Sequence, residues 1–327
     1  MTLVLTHSDI SALIDRHAVF DAVERAHADL STGTAANPAP AVMPLPDGGS
    51  VLPMAATATR QRASTVKLLS DMPGNRAAGL PTQRSTILLV SDRTGECEAV
   101  LDGRLITAIR TAAASAVATA HLARATSSTL GLIGAGTLAV EHTRAIARVR
   151  PIDKVVVWSR TEATVDEFRR RTLDLDVQVV YADTPHDVLA TADIVCTLTP
   201  SKDPIVRGAW FRPGLHLNAV GAPPRADHRE IDGPGMGTGR LVVDSRATAL
   251  AKSGDVLLAV AEGHLAEDAV TVELGDVIVD PRLGRRSDDD ITLFNSVGIG
   301  LQDLVTARLL VDAALASDIG TRVEMSA

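Results

Sequence analysis

The spacing of hydrophobic positions changes repeatedly along this chain, and each change predicts a different kind of element. Residues 8–30 carry two helical patterns, the clearer with Val19, Val23, Ala26 and Leu30 on one face and Gly33 as a stop. Residues 37–46 form a Pro- and Ala-rich loop. From 49 to 90 the texture turns to short β-type runs, notably 64–69 and 85–90, with turn signals at Pro73-Gly74 and at 92–95; residues 98–101 read as a further strand. An alanine-rich segment, 105–124, follows, and its small side chains predict a closely packed, buried helix linking two domains.

Beyond that helix, strands and helices alternate. The pattern predicts strands at 129–133, 154–158, 177–181, 193–198, 216–220 and 241–244, and helices up to 149, at 164–171 and at 247–261. Thr184, Pro185 and Asp187 read as N-cap, first position and third position of another helix. Residues 280–290 read as a loop, and a last helix spans about 297–316. Regular β-α alternation implies a parallel, doubly wound sheet with its ligand at the carboxyl ends of the strands. The expected architecture is α/β: a doubly wound Rossmann domain at 118–299 and a split α+β domain with a mostly antiparallel sheet. The split domain comprises 1–117, with the C-terminal helix, 300–327, returning to it.

The junction of the first parallel strand and its helix carries the first chemistry. Gly134, Gly136 and Ala139 stand at G-x-G-x-x-A spacing after the β-branched run 129–133. The first glycine turns the chain, the second lets backbone approach a pyrophosphate, and the small third residue lets helix and strand pack closely. Gly134, Ala135, Gly136, Thr137 and Leu138 therefore form the candidate phosphate cradle. At the end of the next strand an NAD site offers an acid to the ribose 2′-OH, whereas this chain has Ser159, Arg160 and Thr161. A guanidinium with flanking hydroxyls suits a 2′-phosphate, so the sequence predicts NADPH over NADH.

Composition narrows the partners. Apolar residues make up 46% and charged residues 22%, the balance of an ordinary globular chain, and 327 residues suffice for two domains. Net charge −8 with 2% aromatics offers neither phosphate-tracking basicity nor stacking rings, which excludes a nucleic-acid partner. Cys97 and Cys196 make neither a disulfide framework nor a metal-ligand spacing, so no metal is expected. No signal peptide and no uncharged run of about 20 apolar residues are read, giving a cytoplasmic expectation with no membrane partner.

Two cations sit in unusually apolar settings. Lys67 lies between Val66, Leu68 and Leu69, and Arg110 stands alone among small and apolar neighbours from 105 to 120. Such a cation needs an anionic partner, and a substrate carboxylate would serve.

The set KLLSDMPGN with GLP, LDGRLITAIRTAAASA, GLIGAGTLA, WSRT, NAVGAPPRADHREID, SGDVLLAVAEG and FNSVGIGLQDL resembles the ornithine cyclodeaminase/mu-crystallin family, in the family's own order from about Lys67 to Ala314. The resemblance implies a split domain that dimerises through its sheet, hence a homodimer. It also implies chemistry at the α-carbon of an amino acid or its imine. It assigns Lys67 and Arg110 to the substrate carboxylate and reacting nitrogen, and Thr111, Thr197, Leu198, Val220 and Ser296 to the cofactor lining. It brings Glu262 near the substrate pocket. Two departures matter. The aspartate that follows N-A-V-G-x in the cyclodeaminases is Pro223 here, with Asp227 four residues on, and a pyrrolidine ring accepts no proton. The family's carboxylate-binding arginine before the first core strands is Pro40, with Arg60 and Arg62 as candidate substitutes. The mu-crystallin branch, which includes ketimine reductases, also lacks that aspartate. The expectation is therefore an NADPH-dependent imine reductase on a carboxylate-bearing cyclic or α-imino substrate. The alternatives are a cyclodeaminase-type lyase, an alanine-type amino-acid dehydrogenase, and a non-catalytic NADPH-binding protein like mu-crystallin.

Overall fold

The computed structural model describes residues 1–46 and 48–325. It separates into two compact units, Met1–Arg110 with Ile299–Ala327, and Thr111–Gly298. The first division falls at Arg110, inside the helix Arg104–Leu122, rather than at the expected 117.

The first unit is built on an eight-stranded sheet. Its order is Thr321–Val323, Thr2–Leu5, Cys97–Asp102, Gln83–Ser91, Ala63–Asp71, Ser50–Ala58 and Ala35–Ala36, with Met43–Pro44 also paired to Ser50–Ala58. Every pair is antiparallel except Thr2–Leu5 with Cys97–Asp102. Part of the expected loop at 37–46 is thus strand, and the turn at Pro73-Gly74 is a short 3-10 helix, Pro73–Ala78. The helix Gly300–Ser317 packs against Arg16–Ser31 and the strands Ser50–Ala58, Ala63–Asp71 and Gln83–Ser91. Beyond it the chain forms the strand Thr321–Val323 instead of the expected helix, and 326–327 lie outside the described residues.

The strand Ala63–Asp71 places its residues against the usual polarity. Thr65, Lys67 and Asp71 point inward and are buried, while Val66 and Leu68 face out at 37% and 45% exposure. Leu88 on the neighbouring strand adds to that outer apolar face. A strand normally hides its apolar side chains and shows its polar ones. The inversion sets charged side chains in the interior beneath an apolar outer face.

The second unit contains seven parallel strands in the order Gln178–Tyr181, Lys154–Trp158, Thr129–Ile133, Ile194–Thr197, His216–Ala219, Thr292–Asn295 and Arg240–Val243. Thr292–Asn295 went unread in the sequence because four wholly buried residues show no alternation. The expected helix 247–261 is broken into Arg246–Lys252 and Gly254–Ala261 at Ser253, whose extended backbone ends one and whose side chain caps the next. The capping box of Thr184 and Asp187 starts the helix Pro185–Thr191. Arg104–Leu122 is long and apolar enough to cross a membrane by length and composition, although it carries Arg104 and Arg110 and is mostly buried, as a core helix is. From Thr129–Ile133 the chain moves to Lys154–Trp158 on one side and later to Ile194–Thr197 on the other. That reversal opens a crevice at the carboxyl ends of the central strands.

Candidate functional site

At the crevice, the glycine turn does what its spacing predicts. Gly134 has φ +108°, and a Cβ there would stand 2.9 Å from the carbonyl oxygen of Leu198, so only glycine fits. Its N–H donates to the Trp158 carbonyl at 2.9 Å, which ties the turn to the end of the next strand. Gly136 is the N-cap of the helix Thr137–Ala147 and makes no side-chain cap. A Cβ on Gly136 would meet nothing within 4 Å, and Thr137 beside it is exposed. Open space in front of uncapped helix N–H groups is what a pyrophosphate requires. Ala139, fully buried, packs the helix onto the sheet.

Neighbouring strand ends carry the remaining candidates of this unit. Leu198 N–H donates to Ile133 O (2.8 Å), Val220 N–H to Thr197 O (3.2 Å) and Ser296 N–H to Ala219 O (3.0 Å), so Thr197, Leu198, Val220 and Ser296 follow one another along the sheet's carboxyl edge. Ser296 also donates to Asp244, a buried acid pushed upward by desolvation. Thr111 is buried in its helix. Arg160 is exposed at the end of Lys154–Trp158, and among the described residues nothing pairs with its guanidinium; Thr161 bonds to Thr164.

In the first unit Lys67 and Arg110 meet at a residue the sequence reading passed over. Lys67 Nζ lies 2.8 Å from Asp303 Oδ2, and Arg110 Nε donates to Asp303 Oδ1 at 3.1 Å, with all three side chains buried. The chain itself thus supplies an anionic partner to both cations, where the sequence had pointed to a substrate carboxylate as one that would serve. Arg110 Nη1 donates to Gln302 Oε1 at 2.8 Å, and the amide nitrogen of Gln302 lies 3.1 Å from His27 Nε2. Because an arginine only donates, Gln302 must turn its oxygen to Arg110 and its NH₂ to His27, whose Nε2 accepts. Burial lowers the His27 pKa to about 4, so the ring is neutral and the cluster gains no third positive charge. Asp303 was legible by the criterion that found Arg110, one charge among apolar neighbours in LQDLV.

The substitutes named for the missing family residues are engaged elsewhere. Arg60 makes a paired contact with Asp29 at 2.8 Å through both Nε and Nη2, and Arg62 approaches Asp92 at 4.0 Å. Pro40 is buried. Asp227 accepts from His228 at 2.9 Å and faces Lys202 at 3.2 Å; the His228 hydrogen bond holds its carboxyl below the usual range. Glu262 is bound by Arg229 at 2.8 Å. Burial pushes the Cys196 thiol up to about 12, which makes it inert.

Comparison with known proteins gives one consistent result. The ornithine cyclodeaminase/mu-crystallin family profile matches residues 1–318. The alanine dehydrogenase of Archaeoglobus fulgidus is 31% identical over 323 residues, 99% of this chain and 98% of that protein. The mouse ketimine reductase mu-crystallin is 36% identical over 80% of this chain and 79% of its own. The solved structure of Thermococcus litoralis Delta(1)-pyrroline-2-carboxylate reductase, in complex with NADH and L-proline, superposes with a TM-score of 0.94 at 34% identity, covering 98% of this chain and all of that one.

Proposed function

The chain belongs to the ornithine cyclodeaminase/mu-crystallin family, and within it we propose an NADPH-dependent imine reductase acting on a carboxylate-bearing substrate, a cyclic ketimine or an α-imino acid. The observation that carries this reading is the open edge of Arg110 in the buried cluster. Arg110 shares Asp303 with Lys67, and Arg110 Nη2 makes no hydrogen bond among the described residues. A free guanidinium edge out of water suits a carboxylate oxygen. Arg110 clamps the carboxylate, and Lys67, oriented by Asp303, supplies the proton that the imine nitrogen takes as its carbon is reduced.

Gly134, Ala135, Gly136, Thr137 and Leu138 would hold the pyrophosphate. Ser159, Arg160 and Thr161 would hold the 2′-phosphate, and Thr111, Thr197, Leu198, Val220 and Ser296 would flank the nicotinamide. When bound, the dinucleotide supplies the hydride. Reduction adds that hydride to the α-carbon and the Lys67 proton to nitrogen, turning C=N into CH–NH. Val66, Leu68 and Leu88 give the antiparallel sheet an apolar outer face suited to a second copy, so the working form is a homodimer.

The resemblance to an alanine dehydrogenase favours one second reading, the same chemistry run toward amino-acid oxidation. The lyase reading lacks its acid–base group, since Pro223 replaces it and Asp227 is held by His228 and Lys202. The test is NADPH consumption over cyclic imino acids and over keto acids mixed with ammonia or amines. Turnover on a carboxylate-bearing imine supports the proposal. Ammonia release from L-ornithine without added reductant sinks it in favour of the lyase, and tight NADPH binding with no turnover sinks it in favour of a binding protein.

A further inference from the structure

The donors at two neighbouring strand ends converge on one buried acid. Glu230 is fully buried in the segment that follows His216–Ala219. Its Oε2 accepts from Thr197 Oγ1 and from Gly221 N–H, both at 2.7 Å. Its Oε1 accepts from Thr199 N–H at 2.6 Å and from the Thr199 hydroxyl at 2.7 Å. The acid is itself held: its own N–H and that of Ile231 donate to Asp255 Oδ1, and its carbonyl accepts from Ile205 and Val206.

This arrangement exceeds what stability alone asks. Among the described residues no basic side chain pairs with Glu230, and burial together with the nearby Asp255 pushes its pKa up to about 7; a carboxyl buried without a countercharge is costly unless hydrogen bonds replace its water. Four donors do so, and all four come from the two strand ends that border the crevice. The fit is tight as well: a Cβ on Gly221 would lie 2.1 Å from Thr199 N, so these backbones touch. Leu198, between two residues held by Glu230, is also the residue whose carbonyl crowds Gly134.

We propose that Glu230 is a positioning residue for the nicotinamide half of the cofactor, fixing Thr197, Leu198 and Val220 by clamping the strand ends that carry them. The inference rests on the nucleotide site proposed above. Glutamine has nearly the same shape, but one of its two faces presents N–H groups. A Thr hydroxyl can rotate to accept from that face; a backbone N–H cannot, so Glu230→Gln leaves Gly221 or Thr199 without its acceptor.

The test compares calorimetric binding of NADPH with that of adenosine 2′,5′-bisphosphate, which carries the adenosine half alone, for the full-length protein and Glu230→Gln. The expected result is NADPH affinity weakened about tenfold or more with bisphosphate affinity unchanged. Equal weakening of both ligands overturns the inference, because it signals a general structural role, and so does no change in either. Wild-type protein that binds neither ligand overturns the nucleotide site itself. Should Glu230→Gln fail to fold, Thr199→Val removes a single hydroxyl donor. It should show the same selective loss at smaller amplitude, and its absence also overturns the inference.

Discussion

Replacing Asp303 by asparagine tests the buried cluster. The side chain keeps its shape, yet Lys67 and Arg110, both buried, lose the carboxylate that they share. His27 offers no relief, since it is already neutral, and Gln302 holds one Arg110 nitrogen only. Removing one partner of a buried ion pair costs about 3–5 kcal/mol, and these side chains show at most 4% exposure, so solvent screening gives no discount. Urea unfolding at pH 7, followed by circular dichroism, should therefore place Asp303→Asn about 3–5 kcal/mol below wild type. Lys67→Met alone leaves Asp303 with Arg110, and the double variant leaves one cation beside a neutral amide. The two losses should consequently fall short of additivity by about 1–3 kcal/mol. A loss under about 1 kcal/mol for Asp303→Asn, or strictly additive losses, would show that the three side chains do not share charge in the folded protein.

Three further outcomes follow from other parts of the molecule. Arg160→Ala should raise KM for NADPH about 10–100-fold while leaving KM for NADH nearly unchanged, the worth of charge-assisted hydrogen bonds to a phosphate; an unchanged NADPH/NADH ratio in steady-state kinetics contradicts it. A Cβ on Gly136 meets nothing within 4 Å, so Gly136→Val should cost about 1 kcal/mol of helix-capping stability yet weaken nucleotide binding at least tenfold. Gly131→Ala, whose Cβ would lie 2.6 Å from Val188, should lose about 1–3 kcal/mol in thermal unfolding with binding retained in the folded fraction; the opposite assignment would relocate the nucleotide. His142, buried between Ser115 and the Leu138 carbonyl, has its pKa lowered from 6.5 to about 4 by desolvation. A group depressed in the folded state contributes stability that is present above pH 6.5 and lost as pH falls toward 4. The penalty of His142→Gln, measured by urea unfolding, should shrink over that interval, and a constant penalty contradicts the burial argument.

How much of this was legible depended on whether an element carries its own signal. Thr129–Ile133 and Lys154–Trp158 coincide with their expected bounds, because a β-branched run closed by a glycine turn or a polar cluster needs no outside help to be read. Thr292–Asn295 is buried on every side and shows no period, and Thr2–Leu5 and Thr321–Val323 owe their strand character to partners far away in sequence. The site divides the same way. The glycine turn and Arg160 are local features of the chain. The pairing of Lys67 with Arg110 through Asp303, and the meeting of Thr197, Thr199 and Gly221 at Glu230, bring together residues that no spacing rule connects. Burial creates both of those sites, and burial of a polar group shows in sequence only as one polar residue among apolar ones.

The most direct measurement follows the hydrogen itself. NADPH carrying deuterium at the transferable C4 position is mixed with the protein and a cyclic imino acid bearing an α-carboxylate, and the amino-acid product is examined by proton NMR. The account predicts deuterium at the α-carbon of the product, one atom per NADPH oxidised. Product with only solvent hydrogen at that carbon, or ammonia formed with the label still on the cofactor, would contradict it.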